Sequence, residues 1–147
     1  MSGHDLKGII PPVVTLINKD HSIDKKGMTE HINDLISSGV NGLFFMGTGG
    51  EFAHMSMKTR KEVTELAVKV VGGRVPVLIG TGTAGLEETK ELSVHAEESG
   101  ADGLVIINPY YSYVEETHLF AYFETLSKET NLPIILYNFS WNDRSGS

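Results

Sequence analysis

Five short apolar runs punctuate the chain: Ile9 to Val14, Leu43 to Met46, Val75 to Ile79, Leu104 to Ile107 and Ile134 to Tyr137. None alternates polar with apolar residues, so each predicts a strand covered on both faces, as in a parallel sheet flanked by helices. The segments between them carry apolar residues at the three- and four-residue spacing of one helix face. Asp24 to Ser38 does so through Met28, Ile32, Leu35 and Ile36, with Gly39 as the stop. Ser56 is placed to cap a second helix with Val63, Leu66, Ala67 and Val70 on its buried side, ending at Gly72-Gly73. A third helix is predicted from Leu86 to Ser99, closed by Gly100, and a fourth from Glu115 to Thr130 with Leu119, Tyr122, Phe123 and Leu126 as its stripe.

The chain also repeats itself. Ser38-Gly39-Val40-Asn41-Gly42-Leu43-Phe44-Phe45 matches Ser99-Gly100-Ala101-Asp102-Gly103-Leu104-Val105-Ile106 in residue type and order. In each, a helix ends at one glycine and a buried strand opens at a second. Successive strands start roughly 28 to 34 residues apart, the period of a strand plus a crossover helix. Two architectures accommodate such a string: an open doubly wound sheet, or the N-terminal portion of a (β/α)8 barrel with about five strands and four helices. The doubly wound form expects a glycine-rich phosphate turn after the first strand, and Thr15 to His21 contains no glycine.

Composition narrows the chemistry. The 147 residues carry a formal charge of −7, which argues against a nucleic-acid partner and for a small molecule. The absence of cysteine removes disulfides, thiolate nucleophiles and sulfur-ligated zinc, and fits a cytoplasmic location. The first residues lack the basic-then-apolar pattern of a secretory signal, and no run approaches the roughly 18 apolar residues of a membrane helix. His4, His21, His31, His54, His95 and His118 form no close pair at metal-ligand spacing, so no metal site is expected. Glu87, Glu88, Glu97 and Glu98 read as solvated helix faces rather than an acid/base pair, while Glu51 stays open between an acid/base carboxylate and a cap of its neighbouring turn.

The specialised residues fall just after predicted strands: Gly47-Thr48-Gly49-Gly50-Glu51, Gly80-Thr81-Gly82-Thr83, Asn108-Pro109-Tyr110-Tyr111 and Tyr137-Asn138. They share one rim of a parallel sheet, where active sites of both architectures are built. The first segment has two readings. Its small residues let backbone N–H groups and the Thr48 hydroxyl converge on an anion, or they serve only a tight strand-to-helix turn. Tyr137 is placed to move a proton or to anchor packing, and Tyr110 and Tyr111 carry the same ambiguity.

Taken in order, Gly8-Ile9-Ile10-Pro11-Pro12, Gly47-Thr48-Gly49-Gly50-Glu51-Phe52, Gly103 to Tyr111 and Leu136-Tyr137-Asn138-Phe139 resemble the dihydrodipicolinate synthase and N-acetylneuraminate lyase family. The resemblance runs from Gly8 to Phe139 and implies residues 1–139 as a partial (β/α)8 barrel, with 140–147 a polar tail outside the family pattern. Gly49 stands where the synthase pattern has a second threonine, which is closer to the branch acting on 2-keto-3-deoxy sugar acids. The resemblance implies a class I aldolase that joins pyruvate to an aldehyde, or releases it, through a lysine Schiff base acting as electron sink, with no cofactor. It further implies that Tyr137 transfers the proton, that Thr48 relays it and binds the carboxylate with Gly49 and Gly50, and that Tyr111 enters a neighbouring subunit's site. Full-length relatives are expected to be homo-oligomers.

The family lysine belongs on the next strand, roughly 25 to 30 residues beyond Tyr137, as expected for one further βα unit. The sequence ends at Ser147. The expectation is therefore a chain truncated after its fifth strand, inactive alone, which only binds keto acids or self-associates through its open edges.

Overall fold

A computed structural model describes residues 5–138 of the chain. Four helices alternate with four strands: α1 (Lys25–Ser37), β1 (Leu43–Phe45), α2 (Met57–Val71), β2 (Val77–Gly80), α3 (Leu86–Ser99), β3 (Gly103–Ile107), α4 (Glu116–Glu129) and β4 (Ile134–Tyr137). All strand pairs are parallel and the order is β1-β2-β3-β4. A doubly wound sheet reverses its strand order at a switch point; this one advances in one direction throughout, as a barrel wall does.

The helix ends follow local chemistry. Asp24 and Ser56 accept hydrogen bonds from Gly27 N and Thr59 N and so cap α1 and α2. Gly72 and Gly100 close α2 and α3 in the left-handed conformation. Leu43, Phe45, Val77, Ile79, Leu104 and Ile106 pack outward against Met28, Ile32, Val63, Ala67, Ala96, Tyr122 and Leu126 of the helices in one buried core. Alternate strand residues necessarily turn to the other face.

The first apolar run departs from expectation. Ile9 to Val14 forms no named strand, only an isolated parallel bridge from Pro12 to Phe44. Pro11 and Pro12 have no N–H to donate, so the ladder cannot be completed. The segment nevertheless lies along β1: Phe44 N donates to Pro11 O at 3.0 Å and Val13 N to Phe44 O at 2.7 Å. At the opposite edge, β4 is not covered on both faces as its apolar run predicts. Ile135, Leu136 and Tyr137 are 41%, 59% and 46% exposed, because no further strand pairs beyond β4 among the described residues.

The repeated octapeptides are matching joints. Asn41 N donates to Ile9 O at 2.8 Å while its Oδ1 accepts from Ile9 N at 2.8 Å. Asp102 makes the same pair with Val77: N to Val77 O at 2.9 Å, and Oδ2 accepting from Val77 N at 2.8 Å. On the other side, Leu43 N donates to Pro76 O and Leu104 N to Pro133 O, both at 2.9 Å. Each joint thus ties the strand it opens to the segment before and the segment after.

Candidate active site

β1 ends in a backbone that only a turn could follow. Met46, buried, takes a left-handed φ of 58° and swings the chain into Gly47. Its carbonyl oxygen then lies against Gly80 so closely that any Cβ there would overlap it. The turn closes on itself through Gly50 N to Gly47 O at 3.1 Å and Glu51 N to Thr48 O at 3.0 Å. Two of its amides are thereby used, while those of Thr48 and Gly49 donate to no carbonyl among the described residues. The glycine segment is thus a tight turn whose closing bonds leave out the amides of Thr48 and Gly49.

On the inner face of the sheet this turn borders a cavity of about 270 Å³. Phe44, Val105 and Ile107 supply an apolar floor, and Thr48, Gly49 and Tyr137 stand on its rim. Three of the residues singled out from the sequence therefore meet in one place. Gly50 lies behind, buried, its carbonyl accepting from the Thr15 hydroxyl at 2.8 Å. Tyr111, 89% exposed, is not in the cavity wall. Its neighbour Tyr110 meets the ring of Phe52 edge-on at 5.9 Å.

Glu51 makes no capping bond with its side chain and itself adopts a left-handed φ of 60°. Glu97 is not simply solvated: its carboxylate accepts from the Thr130 hydroxyl at 2.6 Å and from Asn131 N and Nδ2, which ties α3 to the turn before β4. Those hydrogen bonds, that from Thr130 first, hold its pKa below the usual carboxylate range. Among the described residues no cluster of His, Asp and Glu could hold a metal, and no helix is long and apolar enough to cross a membrane.

The residue that sequence reasoning passed over is Arg60. It lies on α2 with 4% exposure, and its guanidinium donates to Gly82 O and to Gly80 O, each at 2.9 Å. Its Nε is buried with no partner among the described residues, and the guanidinium carbon sits 5.2 Å from the centre of the Phe52 ring. Burial pushes its pKa down to about 10, leaving it charged at neutral pH.

The sequence pattern described as the dihydrodipicolinate synthetase family matches residues 5–147. YagE of Escherichia coli K12, provisionally named a 2-dehydro-3-deoxy-D-gluconate aldolase, is 52% identical over 132 residues, 90% of this chain and 44% of YagE. YjhH of the same organism, provisionally named a 2-dehydro-3-deoxy-D-pentonate aldolase, is 48% identical over 132 residues, 90% of this chain and 44% of YjhH. The crystal structure of YagE in complex with pyruvate superposes with a TM-score of 0.90 at 51% identity, covering 91% of this chain and 45% of that one. The chain thus spans less than half the length of the relatives it matches, and its fold is the corresponding portion of their barrel.

Proposed function

The chain belongs to the dihydrodipicolinate synthetase family, and from that premise we propose that it carries the keto-acid-binding part of a Schiff-base aldolase site of the 2-keto-3-deoxy sugar-acid type, without the lysine that forms the Schiff base. The observation that carries this reading is the meeting of Thr48, Gly49 and Tyr137 around one apolar cavity. A keto acid has an anionic end and a carbonyl end. Its carboxylate finds the Thr48 hydroxyl and the amides of Thr48 and Gly49, while its carbon chain rests on Val105 and Ile107. Tyr137 lines the same cavity, where a phenol delivers or removes a proton as the carbon–carbon bond changes. Thr48 is the natural relay, because a hydroxyl both donates to a carboxylate and accepts from a phenol. Tyr111, exposed and outside the cavity wall, suits a contact with the site of a neighbouring copy.

Electron withdrawal from the keto carbon needs an amine, and among the described residues no lysine lines the cavity. Lys58, Lys61 and Lys69 are on α2, Lys90 on α3 and Lys128 on α4, all on the helical layer outside the sheet. The chain alone is therefore expected to bind pyruvate without reacting. Incubation with pyruvate and borohydride, read by intact mass, is expected to give no reduced adduct, while YagE treated in parallel is labelled. An adduct on one lysine of this chain overturns the reading of an inactive chain. Absence of any pyruvate-induced shift of the Thr48 and Gly49 amide resonances overturns the keto-acid site itself.

The exposed apolar side chains of β4, together with Phe120 at 77% exposure, favour association of the chain with a second copy. Sedimentation at increasing concentration tests this: a monomer at every concentration counts against it.

A further inference from the structure

A buried cation without a neutralising carboxylate is an unusual thing to keep beneath a ligand cavity. Arg60 forms no ion pair with a carboxylate among the described residues; the Tyr110 phenol and then Glu88, exposed on α3, act on it without forming such a pair. Two carbonyls satisfy its terminal nitrogens, and its Nε has no hydrogen-bond partner among the described residues. Carbonyl dipoles offset part of the cost of desolvating a guanidinium but leave its net charge in place. Three of the residues it touches, Gly80, Gly82 and Phe52, are themselves part of the cavity wall, so the charge lies one residue behind the space that a ligand occupies.

We propose that Arg60 is a positioning residue whose uncompensated charge, acting through the wall formed by Gly80, Gly82 and Phe52, selects an anionic ligand for the cavity while its forked donors hold the turn after β2. This rests on the keto-acid reading above and deepens it by assigning the electrostatic source of carboxylate selection. A planar fork is what allows one side chain to hold two carbonyls two residues apart and still present its charge toward the cavity. At a separation of about 10 Å and an effective dielectric of about 20, such a charge is worth roughly a tenfold gain in affinity for a monoanion and nothing for a neutral isostere.

The test compares pyruvate with pyruvamide, which has the same carbon skeleton and no charge, by amide-shift titration of the chain and of Arg60→Gln and Arg60→Lys. Arg60→Gln is expected to weaken pyruvate roughly tenfold and leave pyruvamide unchanged, with Arg60→Lys retaining most of the preference for pyruvate. Equal weakening of both ligands by Arg60→Gln, or no weakening of either, overturns the proposal. So does loss of the circular dichroism of the fold in both variants, which assigns Arg60 to scaffolding alone. If the unsubstituted chain binds pyruvamide as well as it binds pyruvate, the cavity has no charge preference and Arg60 does not supply one. If it binds neither, the keto-acid reading itself is overturned, and this proposal with it.

Discussion

Replacing Gly80 by alanine tests how the cavity's rim is held. The added methyl group would meet the carbonyl oxygen of Met46 in overlap and its carbonyl carbon at 2.9 Å. Neither strand can yield freely. β2 is paired on both sides, Ile79 with Phe45 and Gly80 with Val105, and the Gly80 carbonyl is held by Arg60. Met46 already occupies a left-handed conformation that tolerates little further twist. Overpacking costs about 1–3 kcal/mol when side chains can adjust, and here the obstacle is backbone, which places the estimate at about 3 kcal/mol. For a domain of this size that corresponds to a fall in melting temperature of roughly 6–12 °C. Thermal unfolding followed by circular dichroism measures it. Gly49→Ala is the control, since a Cβ at Gly49 meets nothing within 4 Å; its stability is expected to change by less than about 0.5 kcal/mol. Equal melting of Gly80→Ala and the unsubstituted chain, or an equal drop in the control, refutes the reasoning. Because Met46 leads directly into Gly47 and Thr48, Gly80→Ala is also expected to weaken pyruvate binding.

Two further perturbations probe the scaffold. Asp102→Ala removes the carboxylate that accepts from Val77 N and is expected to destabilise by about 2 kcal/mol in urea unfolding, whereas the more exposed Asn41→Ala costs about 1 kcal/mol; the reverse order contradicts burial as the source of the difference. Glu97 has its pKa depressed by the fold, so its contribution is fully present above the unfolded carboxylate pKa and is lost as pH falls through the folded one. The stability gap between the chain and Glu97→Gln should therefore narrow as pH falls below the ordinary glutamate value of about 4.3, and a gap that stays constant there shows that the charge is not what ties α3 to the turn at Thr130.

Much of this molecule is legible because its signals are local. Ser56, Gly72 and Gly100 end their helices where capping chemistry says they should, and the strand-end positions of Thr48, Gly49 and Tyr137 follow from knowing where strands stop. What escapes is set by distant partners. Arg60 sits among other polar residues in Lys58-Thr59-Arg60-Lys61-Glu62 and draws no notice there; only the carbonyls of Gly80 and Gly82, some twenty residues on, mark it as buried. Glu97 is misread for the same reason, since its partners Thr130 and Asn131 lie more than thirty residues away. Ile9 to Val14 has the hydrophobicity of a strand but not its donors, and the exposure of β4 depends on what lies next to it rather than on its own residues. The polar stretch 140–147 lies outside the described residues.

The paired joints at Asn41 and Asp102 have a geometric consequence. Each contains, within eight residues, the bonds that fix where one strand begins relative to both of its neighbours, so the stagger between adjacent strands is written into the seam rather than negotiated across the whole wall. An arc assembled from such seams has its curvature set step by step.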